Sequence, residues 1–148
     1  MTIKDLFGWW TGGYDLEIMF VDSESGVSEQ VTYRDYNGGN TDYDWGAYEV
    51  AGMEVYPNYF RVVVIAGAER KSSIIKSVFV RDFVQNIDTD TISVDIWDME
   101  DDTADNYDSE TTTLRTLKSG GTKYSWLDRE LYGWAIEDGA LDLITEIA

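Results

Sequence analysis

Tyr124 to Ile144 reads YSWLDRELYGWAIEDGALDLI, and Tyr43 to Val63 reads YDWGAYEVAGMEVYPNYFRVV. The two stretches align without a gap at a shift of 124 − 43 = 81 positions. Tyr43 falls on Tyr124, Trp45 on Trp126, Glu49 on Glu130, Gly52 on Gly133 and Val55 on Ile136. Phe60, Val62 and Val63 fall on Leu141, Leu143 and Ile144. The register continues upstream, where Glu29, Arg34, Gly39 and Thr41 meet Glu110, Arg115, Gly120 and Thr122. Nearer the N-terminus the shift becomes 80 − 3 = 77, and IKDLFGWW (3–10) meets VRDFVQNI (80–87). The changes in shift fall in polar stretches around Gly12, Ser25, Thr89 and Asp105, where loops tolerate changes of length. This is an internal duplication, with repeats at 1–66 and 78–148 around a basic linker at 67–77.

Each repeat opens on a helical pattern. Thr2 is placed to cap it and Asp5 lies in its first turn, while Ile3, Leu6, Phe7 and Trp10 follow i, i+3, i+4, i+7. Val80, Phe83, Val84 and Ile87 repeat that face. YDLEIMFV then alternates Leu16, Ile18 and Phe20 with polar neighbours, the period of a strand covered on one face. SEQVTYRDY reads as a second strand with Val31 and Tyr33 inward. Two more strands follow, separated by YPN in the first repeat and EDG in the second, both turn sequences. A repeat of roughly 70 residues buries little core alone. The expected fold is therefore α+β, two tandem units of a helix and a four-stranded antiparallel meander, packed with pseudo-twofold symmetry.

Composition narrows the chemistry. Cysteine and histidine are absent, which removes thiolate zinc sites, thiol nucleophiles and the commonest general base. No run reaches the roughly 20 apolar residues of a membrane helix, and MTIKDLFGWW lacks the h-region of a signal peptide. A cytoplasmic protein is expected. The net charge is −18. Residues 1–70 carry twelve acids against four bases and residues 78–148 carry seventeen against five. Such a field repels nucleic acid and anionic membranes and attracts basic surfaces.

The run DMEDDTADNYDSE (98–110) has no glycine, so it lacks the sixth position of an EF-hand loop and reads as a solvated hairpin tip. No cofactor or metal is expected. The acid pairs Asp15/Glu17, Asp42/Asp44 and Asp88/Asp90 are what the outer face of an acidic strand looks like, and GAERKSSIIKS lacks P-loop spacing. A carboxylate hydrolase is thus disfavoured and no catalytic residue is assigned. The aromatics Tyr43/Trp45 and Tyr124/Trp126 sit just before a strand in each repeat, where they cap the cores or serve an interface. Acids two apart on a strand lie about 6.6 Å apart, close to the spacing of phosphates on one nucleic-acid strand.

KDLF…YDLEIMFVD…YEVAGMEV…FRVVVIA, with its counterpart RELYGWAIEDGALDLI, resembles small acidic proteins of bacteriophages and conjugative elements. Anti-CRISPR and antirestriction proteins are similarly small, acidic and histidine-poor. The resemblance is one of style over the whole chain and carries over no functional residue. It implies a non-enzymatic inhibitor, a nucleic-acid mimic that acts in the host cytoplasm on a basic groove of a nuclease or effector. The alternative is a mobile-element accessory or structural interaction module, acidic for solubility alone. The candidate partner-binding residues are Asp98, Glu100, Asp101, Asp102, Asp105, Asp108, Asp42, Asp44 and Tyr43.

Overall fold

A computed structural model describes residues 1–65, 78–99 and 108–146. The linker 67–77 and Glu100, Asp101, Asp102 and Asp105 lie outside the described residues. The first repeat runs α1 (Ile3–Gly8), β1 (Glu17–Asp22), β2 (Ser28–Thr32), α2 (Tyr33–Asn37), a 3-10 turn (Trp45–Ala47), β3 (Val50–Tyr56) and β4 (Tyr59–Val64). The second repeats it as α3 (Val80–Gln85), β5 (Ser93–Asp98), β6 (Ser109–Thr113), α4 (Leu114–Ser119), a 3-10 turn (Trp126–Asp128), β7 (Glu130–Glu137) and β8 (Ala140–Glu146). The class is α+β and the two units share one topology, as a tandem duplication requires. Strands β1 and β5 stand 93 − 17 = 76 apart, and β2 and β6 stand 109 − 28 = 81 apart. The longer second hairpin absorbs the difference.

The meander is corrected in one respect: the sheets are mixed. Strand order is β2-β1-β4-β3 and β6-β5-β8-β7, with β1 parallel to β4 and β5 parallel to β8. The reason is a second helix in each repeat that strand-like alternation concealed. Tyr33 does not continue β2. Thr32 accepts a hydrogen bond from Asp35 N–H (3.2 Å) and caps α2, with the Asp35 carboxylate facing back to Thr32 N–H. Thr113 caps α4 in the same way through Thr116 N–H. The helix carries the chain across the sheet, so β4 returns into the middle beside β1, as a parallel pair demands. Helix α1 has the expected cap, with Asp5 N–H on Thr2 Oγ1 (3.2 Å) and Thr2 N–H on Asp5 (2.9 Å).

One apolar cluster spans both repeats. Alternation supplies it from the sheets: Ile18 and Phe20 from β1, Phe60 and Val62 from β4, Val94 and Ile96 from β5, Leu141 and Leu143 from β8. The repeats are joined by a reciprocal exchange. Thr11 N–H donates to Trp134 O (2.8 Å) and Trp134 N–H donates to Trp9 O (2.9 Å). Met53 N–H donates to Asn86 O (2.8 Å) and Asp88 N–H donates to Met53 O (2.7 Å). Each repeat thus lays the end of its first helix along the other's sheet edge. Trp134 fills the junction, its indole donating to Leu6 O (2.8 Å) and its ring meeting Phe7, Phe60 and Phe83.

Candidate functional site

The loop from Gly38 to Ala47 carries Asp42, Tyr43 and Asp44, and the sequence fixes its course. Gly39 takes φ +75° after α2, a conformation that a Cβ disfavours. Glu29 of β2 then pins the loop, accepting from Asp42 N–H (2.8 Å) and from the Trp45 indole (2.8 Å). Thr41 Oγ1 donates to Tyr43 O (2.6 Å). Trp45 is thereby buried and stacks on Phe20 at 5.2 Å, while Asp42, Tyr43 and Asp44 all face solvent. The second repeat reproduces these bonds: Gly120 has φ +75°, Glu110 accepts from the Trp126 indole (2.9 Å), and Thr122 donates to Tyr124 O (2.7 Å). Burial tends to raise the Glu110 carboxyl, but hydrogen bonds from Lys123 N–H, the Trp126 indole and Tyr124 N–H hold it below its ordinary value. Glu29, Glu110, Trp45 and Trp126 therefore hold the fold of their own repeats.

What differs between the repeats is the surface this scaffold presents. In the first, the loop and helices α1 and α2 enclose an open cleft of about 740 Å³, lined by Lys4, Phe7, Tyr33, Tyr36, Asp42, Tyr43 and Asp44 among others. Burial, then Tyr33 and then Asp44, push the Tyr36 phenol up to about 12, so it remains a protonated donor. In the second, the equivalent cleft is about 420 Å³ and is lined by Arg81, Val84, Gln85, Lys118 and Leu127. Gln85 and Leu127 stand where the first repeat has Gly8 and Gly46, and fill the space. Lys123 and Ser125 stand where it has Asp42 and Asp44. The first cleft is thus acidic and aromatic, the second smaller and basic.

The acidic run behaves differently from a solvated tip at both ends that are described. The Asp98 side chain is only 4% exposed and pairs with Arg129 Nη1 at 3.1 Å. Asp108 pairs with Arg129 Nη2 at 2.8 Å. The guanidinium also lies 4.3 Å from the centre of the Trp126 ring. Asp98 continues the inward face of Val94 and Ile96, so its register already placed it inside. The expectation that Asp98 is an exposed contact is corrected on that ground.

A different acidic group occupies the outward face of the second sheet. Asp95 and Asp142 are side by side on the parallel strands β5 and β8, and Glu137 and Asp138 close the β7–β8 turn beside them. Burial first, then the Glu137 side chain, Asp95 and Asp138, push Asp142 up to about 6. In the first repeat the position of Asp142 is Arg61, which pairs with Glu54 at 2.8 Å. Sequence reading missed this group because its members come from three strands. The parallel β5–β8 pairing is what brings them together.

Among the described residues no group of three or more His, Cys, Asp or Glu is arranged to hold a metal ion, and no helix is long and apolar enough to cross a membrane. No protein family, curated protein or solved structure matches this chain.

Proposed function

We propose that this protein is a non-enzymatic acidic ligand of a basic protein surface, of the kind that nucleic-acid-binding nucleases and effectors of host defence present, and that it inhibits by occupying that surface. The observation that carries this reading is the outward acidic face of Asp95, Glu137, Asp138 and Asp142. Burial first, and then the neighbouring Glu137, Asp95 and Asp138, push Asp142 up to about 6. Like charges held together oppose folding, whereas a basic partner relieves the repulsion on binding. Adjacent strands about 4.8 Å apart and residues about 6.6 Å apart along each strand give the acids a spacing suited to a groove that accepts phosphates. The first-repeat cleft, with Asp42, Asp44 and the exposed Tyr43, is a second acidic and aromatic surface.

The test is inhibition of a CRISPR effector or restriction nuclease in a DNA-cleavage assay, with binding measured directly across a salt series. Inhibition that weakens with salt, competes with nucleic acid and is lost in the Asp95→Asn/Glu137→Gln/Asp142→Asn variant supports the reading. A variant that inhibits as well as the parent protein sinks it. Lost solubility with no partner gained or lost favours an interaction module whose acidity serves solubility alone.

A further inference from the structure

The duplication supplies an internal reference for the first-repeat cleft. In the second repeat the same layer is closed: Val84, Leu114 and Leu117 are buried, and Leu127 packs against the core. Phe7, Tyr33 and Tyr36 stand in the first repeat for Val84, Leu114 and Leu117, and Gly46 stands for Leu127. Two properties change together. The aliphatic layer becomes an aromatic floor, with Phe7 5.4 Å from Tyr33 and 5.0 Å from Tyr36. The residue that covered it is also gone. A Cβ at Gly46 would stand 3.1 Å from the Tyr36 hydroxyl and 3.7 Å from Lys4 Cβ, so a side chain there would enter the gap between them. Gly8, in the place of Gln85, has nothing within 4 Å of its Cβ position and leaves the opening clear.

The rim changes in sign as well. Asp42 and Asp44 replace Lys123 and Ser125, and Asn37 replaces Lys118. Neither carboxylate is used to build the loop. Asp42 is held through its backbone N–H, and Asp44 makes no side-chain bond to the 3-10 turn that it precedes. The cleft also keeps one cation. In the second repeat Arg81 pairs with Asp128 at 2.8 Å, whereas Lys4 has Ala47 in that place. The lining thus offers two carboxylates, an ammonium, a phenol hydroxyl and aromatic faces.

We propose that this cleft docks an extended basic peptide segment of the partner, with its guanidinium groups at Asp42 and Asp44 and its backbone carbonyls toward Lys4. The proposal rests on the reading of a basic partner and gives the form in which that partner is met, a chain laid in a groove. The cleft, at about 740 Å³, lies within the roughly 300–1,000 Å³ of ligand sites, and it is open rather than enclosed. Its mixed lining decides between occupants. A polyamine carries cations alone, so it would meet the carboxylates but be repelled by Lys4. A peptide brings both kinds of group, since each residue carries a carbonyl and Lys4 can only donate. Aromatic faces favour the planar, weakly hydrated guanidinium over a compact ammonium. An anionic ligand is opposed by the net charge of −18.

The experiment uses the full chain, isotopically labelled, at low salt. Its probes are the capped pentapeptide Ala-Arg-Ala-Arg-Ala, the counterpart with glutamate for arginine, and spermine, with octa-lysine as the general basic probe. The arginine peptide is expected to shift the amide resonances of Gly8 and Gly46, with Leu127 in the closed repeat unmoved and no response to the glutamate peptide. Gly8→Gln/Asp42→Lys/Asp44→Ser installs the second repeat's residues and should weaken that peptide about threefold or more, the scale of two exposed ion pairs. Lys4→Met is the sharper variant. It makes the protein more acidic, so plain attraction between charges would tighten the peptide, whereas loss of the carbonyl's donor should weaken it. Tighter binding by Lys4→Met, or a spermine response at Gly46 equal to that of the peptide, overturns the proposal. Octa-lysine binding with no peptide shift at Gly8 or Gly46 also overturns it and leaves the basic-partner reading standing. A peptide response at the cleft with no octa-lysine binding overturns that reading and leaves the groove. A shift at Gly46 without peptide, on dilution of the chain or on replacing Arg70 and Lys71 by alanine, gives the cleft to a second copy or to the chain's own basic segment and overturns the proposal.

Discussion

Met53 and Trp134 occupy the same place in the two repeats, and each exchanges two backbone hydrogen bonds with the segment that follows the other repeat's first helix. The bonds are matched but the side chains are not. One junction thus holds a flexible thioether and the other an indole that touches Phe7, Trp10, Phe60 and Phe83. Trp134→Ala removes that fully buried ring and leaves Leu6 O without its indole donor. The expected loss is about 3–5 kcal/mol, the range for large aromatic truncations in a core. Thermal and urea unfolding measure it, and a loss below about 1 kcal/mol would mean that the repeats do not depend on this junction.

Gly133 lies beside that junction. The register of β7 on β8 shifts between Leu131 and Gly133, and a Cβ at Gly133 would stand 2.6 Å from Thr11 Cγ2 and 3.4 Å from Trp9 O. Thr11 cannot turn away freely, because its hydroxyl donates to Trp134 O (3.2 Å). Gly133→Val is therefore an overpacking change across the two repeats, expected to cost about 1–3 kcal/mol. At this chain length each kcal/mol lowers the melting temperature by about 2–4 °C. Gly52 should be more tolerant, since its Cβ would meet only the Asp88 carboxylate, at 3.0 Å and on an exposed side chain. Equal melting of Gly133→Val and the parent protein would contradict this account.

How far the sequence reached can be judged at these same positions. The constant shift of 81 paired Gly52 with Gly133, and both prove to sit at a bulge against the other repeat. Local signals also located α1, β1 and the last hairpin, since each depends on neighbours in the chain. Helix α2 was legible too: Thr32 and Asp35 form a capping pattern, but Val31 and Tyr33 alternate as a strand would, and that alternation dominated. The insertion of β4 beside β1 was not legible, because strand order follows from where α2 carries the chain. For the same reason the Asp95–Asp142 pair could not be found from spacing.

Arg129 sets a third expectation. Its guanidinium, 14% exposed, joins Asp98 and Asp108 and lies over Trp126. Arg129→Met keeps much of the stem's packing but withdraws the cation from a carboxylate that is 4% exposed. Breaking one side of a buried pair costs about 3–5 kcal/mol. The double change Arg129→Met/Asp98→Leu should recover part of that loss, and a double-mutant cycle by urea unfolding measures the coupling. If the two losses simply add, the pair contributes nothing to the fold.

Asp142 sets the response to pH. Its folded value, about 6, lies above the reference of 3.8, so the folded protein takes up a proton before the unfolded chain does. Stability should therefore rise as pH falls from about 7 through 6. Asp90 and Glu110 act in the opposite sense: the hydrogen bond from Lys118 to Asp90, and those to Glu110, hold both below their ordinary values. Their contributions are present at neutral pH and lost in acid, below the window in which Asp142 titrates. The melting temperature should pass through a maximum on the acid side of neutrality. Asp142→Asn should raise it at pH 7.5 and flatten the rise toward pH 5, and an unaltered pH profile in that variant would exclude Asp142 as the cause.

The acids divide into two classes with opposite expected signatures, and this division tests the functional reading most directly. Glu29 and Glu110 bind an indole and backbone N–H groups within their own repeat. Replacing either by Ala should destabilise by about 1–3 kcal/mol, because partly buried donors lose their acceptor. Asp142 is instead partly buried and crowded by Glu137 and Asp95, so neutral amides at these three positions should raise the melting temperature or leave it unchanged. Asp138, at φ 50°, tolerates asparagine, which enters the left-handed region readily, and can join the set. The neutralised protein should then be at least as stable as the parent yet bind octa-lysine more weakly, with a shallower dependence on salt. Screening acts over about 8 Å at physiological ionic strength, so the difference should be largest at low salt. Stability and binding that fall together would assign these carboxylates to the fold, whereas a stabilised protein with weakened binding would assign them to a partner.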